Sequence, residues 1–115
     1  MDSAAFFRAL GDDTRLRCVA LLHAEGELCV CELTHALGLA QPKISRHLGQ
    51  LRQAGVVESH RRGTWMHYRL HPDLPAWARA VLDEWAAARA DTAPYIDDHR
   101  ALQAMPDRPE KACCA

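Results

Sequence analysis

One stretch decides the fold: residues 41–54 read QPKISRHLGQLRQA. Pro42 suits the first turn of an α-helix, because the backbone N–H that proline lacks has no partner there. Ile44, Leu48 and Leu51 follow one another at steps of four and three residues, so they share one face of that helix. The opposite face is polar and basic, and its members are Lys43, Arg46, Gln50 and Gln53. The stretch therefore predicts a helix with one buried face and one exposed, positively charged face.

Shorter patterns on either side of this helix complete a motif. Residues 31–37 predict a short helix just before it. Residues 56–61 and 65–70 predict two strands that are joined by a tight turn at Arg62-Gly63. A helix, a short turn, a polar-faced helix and a basic hairpin predict a winged helix-turn-helix, which is a mainly α fold with a two-stranded β-wing.

The rest of the chain predicts one domain and a tail. With 115 residues the chain has room for one modest core, and domains this small often share a core in a homodimer. A last long helix begins near residue 73, and its apolar stripe predicts a packing face, either within the chain or against a second copy. That stripe contains Leu74, Trp77, Val81, Trp85 and Ala88. Prolines 94, 106 and 109 predict that residues 94–115 form a mobile tail, so that the domain spans residues 1–93.

Charge is concentrated in the predicted motif. The chain carries a net charge of −1, but residues 41–70 hold six Lys or Arg residues against a single acid, Glu58. Such a segment is where a polyanion docks. Lys43, Arg46, Arg61 and Arg62 are suited to DNA phosphates, whereas Gln41, Ser45, His47 and Gln50 are suited to base edges. The competing interpretation is an ordinary amphipathic helix with a solvated charged face.

These residues also resemble a known family. Residues 41–48 (QPKISRHL), 65–70 (WMHYRL) and 10–16 (LGDDTRL) are similar to the ArsR (ArsR/SmtB) family of metal-responsive repressors. The resemblance covers about residues 4–90. It implies a winged-helix homodimer, with the first and last helices at the dimer interface, bound to an inverted repeat in double-stranded operator DNA. Ala40 departs from the family, which usually has a capping residue such as serine there.

A second run, ELCVCEL at residues 27–33, resembles the metal box of the arsenical-resistance repressors in that family and of its cadmium/lead sensors. The resemblance implies that Cys29 and Cys31 bind arsenite or antimonite, and that this ligand releases the repressor from DNA. Three alternatives stay open. They are a cadmium/lead response, a thiol redox switch through a Cys29–Cys31 disulfide, and two small packed hydrophobic residues.

The spacing of the two cysteines suggests how such a switch would work. Residues i and i+2 point about 200° apart on a helix but to the same side of an extended segment. We therefore expect that Cys29 and Cys31 cannot hold one atom while both lie in regular helix. On this argument, ligand binding unwinds the first turn of the helix before the predicted DNA-reading helix.

The identity of a third ligand stays open. The box of the arsenical repressors often has a further cysteine where Thr34 stands. Candidates are Cys113 or Cys114, a solvent oxygen, or Cys18, which is more typical of a buried core residue. The positions that bind zinc in other members of the family correspond here to side chains that cannot coordinate a metal ion, namely Pro72, Leu74, Trp85 and Ala88. The cadmium/lead sensors of the family add cysteines from an N-terminal extension. No cysteine precedes Cys18 here, so the resemblance disfavours cadmium.

Other classes of protein find little support. There is no run of 18 apolar residues and no basic, apolar leader, so we expect a cytoplasmic protein without a membrane partner, whose five cysteines stay reduced. The sequence also lacks a C-x-x-C motif, a phosphate-binding glycine loop and a Ser/His/Asp order in a supporting context. We therefore expect neither an enzyme nor an organic cofactor.

Overall fold

The computed structural model describes residues 1–106 and residue 108. Over these residues the helices are α1 (Ser3–Leu10), α2 (Asp13–Glu25), α3 (Val30–Leu37), α4 (Gln41–Gln53), α5 (Ala76–Arg89) and α6 (Tyr95–Gln103). The strands are β1 (Glu27–Cys29), β2 (Val57–Arg62) and β3 (Trp65–Leu70). The short α3 followed by α4 and the β2–β3 hairpin confirm the predicted winged helix-turn-helix.

Capping explains where the early helices begin. The Asp2 carboxylate accepts a hydrogen bond from the Ala4 N–H at 3.0 Å, and the Asp12 carboxylate accepts one from the Arg15 N–H at 3.0 Å. Such side-chain acceptors satisfy amide groups that have no partner within the helix. At the start of α4, Ala40 offers no such acceptor. The α4 helix depends instead on Pro42 and on the buried face formed by Ile44, Leu48 and Leu51, each fully buried.

The sheet has one strand more than the sequence predicted. β1 pairs with β3, and β3 pairs with β2, so that the antiparallel order is β1-β3-β2. The wing register runs from Val57 opposite Leu70 to Arg62 opposite Trp65. In β1, Cys29 lies opposite His67. A strand of three residues is too short for the alternation of apolar and polar residues to be visible, which is why the sequence predicted the two-stranded wing but not β1.

The structure also differs from the expected mobile tail. Residues 95–103 form α6, in which Leu102 is fully buried and Asp98 is 3% exposed. The helix packs against α3 and α2. Prolines 94 and 106 flank this helix rather than interrupt it, so proline spacing alone was misleading. Residues 107 and 109–115 of the predicted tail, Cys113 and Cys114 among them, lie outside the described residues.

The α5 face that packs on the core consists of different residues from the predicted stripe. Ala78, Leu82 and Ala86 are buried, whereas Trp77 is 40% exposed and Ala88 is also exposed. The predicted stripe therefore runs along the flank of α5, partly open to solvent. None of the helices in the described part of the chain is both long and apolar enough to span a membrane.

Candidate nucleic-acid interface and thiol site

The outward face of α4 carries most of the residues predicted to contact DNA. Gln41, Lys43 and Arg46 are exposed, and Ser45 is half-buried. They lie in the first half of the helix, which is the end that reaches base edges in helix-turn-helix proteins. Burial of the Ile44–Leu48–Leu51 face against the core holds this polar face outward.

His47 does not belong to that face, and its burial argues against its predicted role as a base reader. The side chain is buried, with its Nδ1 atom 3.3 Å from Nη1 of Arg15 and 3.7 Å from the carboxylate of Asp12. Burial lowers the pKa of His47, although the nearby Asp12 acts in the opposite direction. Its position three residues after Ile44 places it at the edge of the buried face.

Arg15 is a residue whose role the sequence analysis missed. From α2 it donates to the backbone oxygens of Ala9 at 2.6 Å and Arg8 at 3.3 Å, at the end of α1. It also donates to Oε1 of Gln50 on α4. Since a guanidinium group only donates hydrogen bonds, the oxygen of the Gln50 amide must face Arg15. Gln50 is exposed, but its amide is oriented by α2.

The wing carries the other predicted phosphate contacts. Arg61 and Arg62 are exposed at the end of β2, next to the Gly63 turn. Nη2 of Arg62 lies 3.3 Å from the carboxylate of Glu27 in β1. The carboxylate of Glu27 thus pairs with the guanidinium of Arg62, which the phosphates of DNA would also attract.

Two histidines lie beside this ion pair. The rings of His60 and His67 stack with their centroids 5.8 Å apart, and both rings approach the carboxylate of Glu27. His67 is buried, and its Nε2 atom has no hydrogen-bond partner among the described residues. Burial lowers the pKa of His67. Glu27 of β1 therefore makes a packed polar contact with the β2–β3 hairpin.

The two predicted ligand cysteines lie where β1 becomes α3. Cys29 is the N-cap of α3 with extended backbone angles, φ −72° and ψ 149°, and Cys31 follows in the first turn. Their Sγ atoms lie 2.8 Å apart, and the N–H of Cys31 points to Sγ of Cys29 at 3.4 Å. Because Cys29 is extended, both sulfurs lie on the same side while the first turn of α3 stays intact. Cys29 lies outside the regular helix, so the spacing of the two cysteines no longer requires that this turn unwinds when a ligand binds.

The other candidate ligands near this site behave differently. Thr34 donates its hydroxyl to the backbone oxygen of Val30 at 2.8 Å. Cys18 is fully buried, and this burial raises the pKa of its thiol to about 12. A protonated thiol is a poor ligand, so Cys18 fits the predicted role of a core residue. Within the described residues, no group of three or more His, Cys, Asp or Glu side chains is arranged to hold a metal ion.

Comparisons with known proteins decide the family. Residues 12–59 match the family described as "Bacterial regulatory protein, arsR family". The chain is 50% identical over 110 residues to the arsenic resistance transcriptional regulator ArsR1 of Pseudomonas putida, covering 95% of this chain and 84% of that protein. The chain belongs to the ArsR family. The predicted resemblance is confirmed, and with it the prediction of a transcriptional regulator rather than an enzyme.

Solved structures agree with this assignment. The AntR antimony-specific transcriptional repressor superposes with a TM-score of 0.62 at 28% identity, covering 74% of each chain. A possible ArsR-family regulator from Mycobacterium bovis, solved as a homodimeric winged helix-turn-helix DNA-binding domain, superposes with a TM-score of 0.64 at 31% identity. The match covers 76% of this chain and 78% of that one. The predicted fold class is therefore confirmed.

Proposed function

We propose that this ArsR-family protein is a metalloid-responsive repressor, which leaves its operator when arsenite or antimonite binds to Cys29 and Cys31. The observation that carries the proposal is the placement of two sulfurs 2.8 Å apart at the start of α3, the helix that packs directly against α4. The names of an arsenic resistance regulator and an antimony-specific repressor among its relatives support the choice of ligand.

On DNA, α4 lies in the major groove and the wing lies along the backbone. Lys43, Arg46, Arg61 and Arg62 contact phosphates, and Gln41 and Ser45 read base edges. Gln50 stays in the set of predicted contacts, with its amide NH₂ group turned away from Arg15.

The protein acts as a homodimer on an inverted repeat, with α1 and α5 at the interface. Phe7 on α1 is 50% exposed and Trp77 on α5 is 40% exposed. Their ring centroids lie 6.2 Å apart, so the two side chains form one apolar patch. Together with the open flank of α5, this patch is the surface that a second copy would bury.

Ligand binding is an exchange reaction at arsenic. Arsenous acid loses one hydroxyl for each cysteine that binds, and the proton of the thiol leaves with that hydroxyl as water. Soft thiolate ligands suit such an ion. Cys113 or Cys114 remains our candidate for a third sulfur, with a solvent oxygen as the alternative. The reaction requires both cysteines as thiols, the form that the reducing cytoplasm maintains.

Release of DNA requires that the ligand prefers a conformation that binds the operator poorly. Since the first turn of α3 already brings the sulfurs together, the change we propose is a shift of α3 as a unit against α4, not an unwinding of the turn. Typical couplings of this kind are about 1–3 kcal/mol, which is a change of roughly 5- to 150-fold in operator affinity.

The test is a titration of arsenite into the complex of the protein with an operator duplex, followed by fluorescence anisotropy. The parent releases the duplex, while Cys29→Ser and Cys31→Ser keep it. Cys18→Ser serves as the matched control and responds like the parent. If both ligand variants respond like the parent, the proposal is wrong. Parallel titrations with Cd²⁺ and with hydrogen peroxide distinguish the cadmium/lead and redox alternatives.

A further inference from the structure

The C-terminal part of the chain closes over the helix that carries the two cysteines. Arg108 reaches back to the first turn of α3, where its Nε lies 2.8 Å and its Nη2 2.7 Å from Oε2 of Glu32. Nη2 also lies 3.4 Å from a carboxylate oxygen of Glu25 at the end of α2. The side chain of Glu32 is only 8% exposed, so this ion pair is largely shielded from water.

Glu32 is also part of the turn that presents the cysteines. Its other oxygen, Oε1, accepts a hydrogen bond from the N–H of Cys29 at 2.9 Å. The Cys29 side chain in turn accepts from the backbone N–H of Glu32, so the two residues make a capping box in which Cys29 replaces the usual Ser or Thr. Sulfur is a weak acceptor, and the contact from the N–H of Cys31 is long at 3.4 Å. The carboxylate of Glu32 therefore holds this turn more firmly than the cap side chain does.

The far end of α3 is held by the same C-terminal segment. Asp98 on α6 binds Arg17 through both carboxylate oxygens, at 2.8 Å and 2.7 Å. Arg17 in turn donates to the backbone oxygen of Leu37, the last residue of α3, at 3.1 Å. Asp98 and Leu102 are buried between these contacts. Both ends of the cysteine-bearing helix are thus tied to residues 95–108.

The charge of Arg108 matters for Glu32. The carboxylate of Glu32 is largely buried, and the guanidinium of Arg108 pairs with it directly. Removing it would leave the carboxylate of Glu32 buried with the Cys29 N–H as its remaining partner in the described structure.

We propose that Arg108 is a positioning residue of the thiol site. Through Glu32 it fixes the turn in which Cys29 and Cys31 present their sulfurs together, so that the C-terminal segment sets the affinity for the metalloid. This inference rests on the proposed function of the two cysteines. It adds that the sensor is built from two distant parts of the chain, not from the ELCVCEL run alone.

The experiment measures arsenite binding to the full-length protein without DNA, by titration calorimetry. Removing the outer partner of a metal-binding group typically weakens binding about 10- to 100-fold, so we expect R108Q to bind arsenite about 10-fold more weakly than the parent. R108K restores the charge and recovers most of the affinity. R100Q, at an exposed position on the same C-terminal segment, is the matched control and binds like the parent.

Two further measurements separate positioning from general damage. Operator affinity without arsenite stays within about 2-fold of the parent in R108Q, because the ion pairs of Arg108 are with α2 and α3 and not with the residues proposed to contact DNA. Amide hydrogen exchange becomes faster at Cys29 and the first turn of α3 in R108Q but not in R100Q. A loss of operator affinity as large as the loss of arsenite affinity, without rescue by R108K, would show a folding defect and overturn the inference.

The outcome also distinguishes this inference from the proposed function. If the parent fails to bind arsenite, the proposed function is overturned together with its extension. If the parent binds arsenite and R108Q binds it equally tightly, only the positioning role of Arg108 is overturned, and the two cysteines remain the sensor.

Discussion

At the scale of single residues, the surroundings of a side chain decided its role more than its type did. Gln50 and His47 both lie on the predicted DNA-reading helix, yet both contact Arg15 on α2. His47 is buried as well, which takes it off the surface that faces DNA. Adjacent positions on a helix point in different directions, so Arg46 is exposed while the next residue, His47, is buried.

The burial of His47 predicts how stability depends on pH. Burial lowers the pKa of His47 below its value of about 6.5 in the unfolded chain. The unfolded state therefore binds more protons than the folded state as the pH falls through this range. The stability from the neutral ring is fully present above pH 6.5 and is lost as the pH falls toward the folded pKa. His67, whose pKa is also lowered by burial, acts in the same direction.

We expect the free energy of unfolding of the parent to decrease between pH 7.5 and pH 5.5, as measured by urea denaturation. His47→Gln reduces this decrease, because the residue that takes up a proton on unfolding is gone. The matched control is His35→Gln at an exposed position on α3, which leaves the dependence unchanged. An identical pH profile for His47→Gln and the parent would contradict the prediction.

At the scale of elements, β1 links the thiol site to the wing. This strand begins at Glu27, which pairs with Arg62, and ends at Cys29, which lies opposite His67. The ligand-binding turn therefore follows directly on a strand that is paired with the hairpin along its whole length. Any movement of Cys29 that shifts β1 also shifts the hairpin, because backbone hydrogen bonds join β1 to β3.

The pairing of Glu27 with Arg62 predicts a variant with tighter DNA binding. Glu27 competes with the DNA phosphates for Arg62, so Glu27→Gln frees this side chain for the backbone. Since Arg62 is 65% exposed, the pair contributes at most about 1 kcal/mol, and we expect operator affinity to rise by up to about 5-fold. The measurement is the operator Kd over a range of salt concentrations, with a steeper dependence expected for the variant.

Glu58→Gln is the control for this experiment, because it removes the same charge from strand β2 of the same sheet, where Glu58 pairs with Arg69 instead. If both variants tighten binding equally, the effect is one of net charge and the specific competition for Arg62 does not exist.

At the scale of the whole molecule, the apolar patch formed by Phe7 and Trp77 predicts how the subunits assemble. Two exposed aromatic side chains on neighbouring helices are costly to leave in water and typical of an interface. We expect Trp77→Glu to shift the dimer to monomer and to weaken operator binding, because one half-site alone holds the protein poorly. Sedimentation equilibrium measures the first effect and anisotropy the second.

A charge elsewhere on α5 controls for the effect of Trp77→Glu on assembly. Ala87→Glu introduces the same carboxylate at an exposed position near the other end of that helix and leaves the proposed dimer intact. If the Trp77→Glu protein stays fully dimeric, the interface lies elsewhere on the surface.

Much of this protein could be read from local patterns. The 41–54 helix, the basic hairpin and the cysteine pair were all predicted, because apolar periodicity, turn residues and residue spacing depend only on neighbours in the chain. The short strand β1 and the helix α6 escaped prediction. Each is brief, and what stabilises it is pairing or packing with distant residues: β3 for Cys29, and Arg17 for Asp98.

By itself, the sequence determined the winged helix-turn-helix, the charge of its DNA-facing surface and the two cysteines of the proposed sensor. Only the tertiary structure decided that Cys29 is extended and brings its sulfur to Cys31, that His47 is buried, and that Arg108 reaches Glu32. The physical reason is that periodicity records which face of an element is apolar, whereas side-chain partners are set by which elements meet. Contacts between residues 76 positions apart leave no mark on either local pattern.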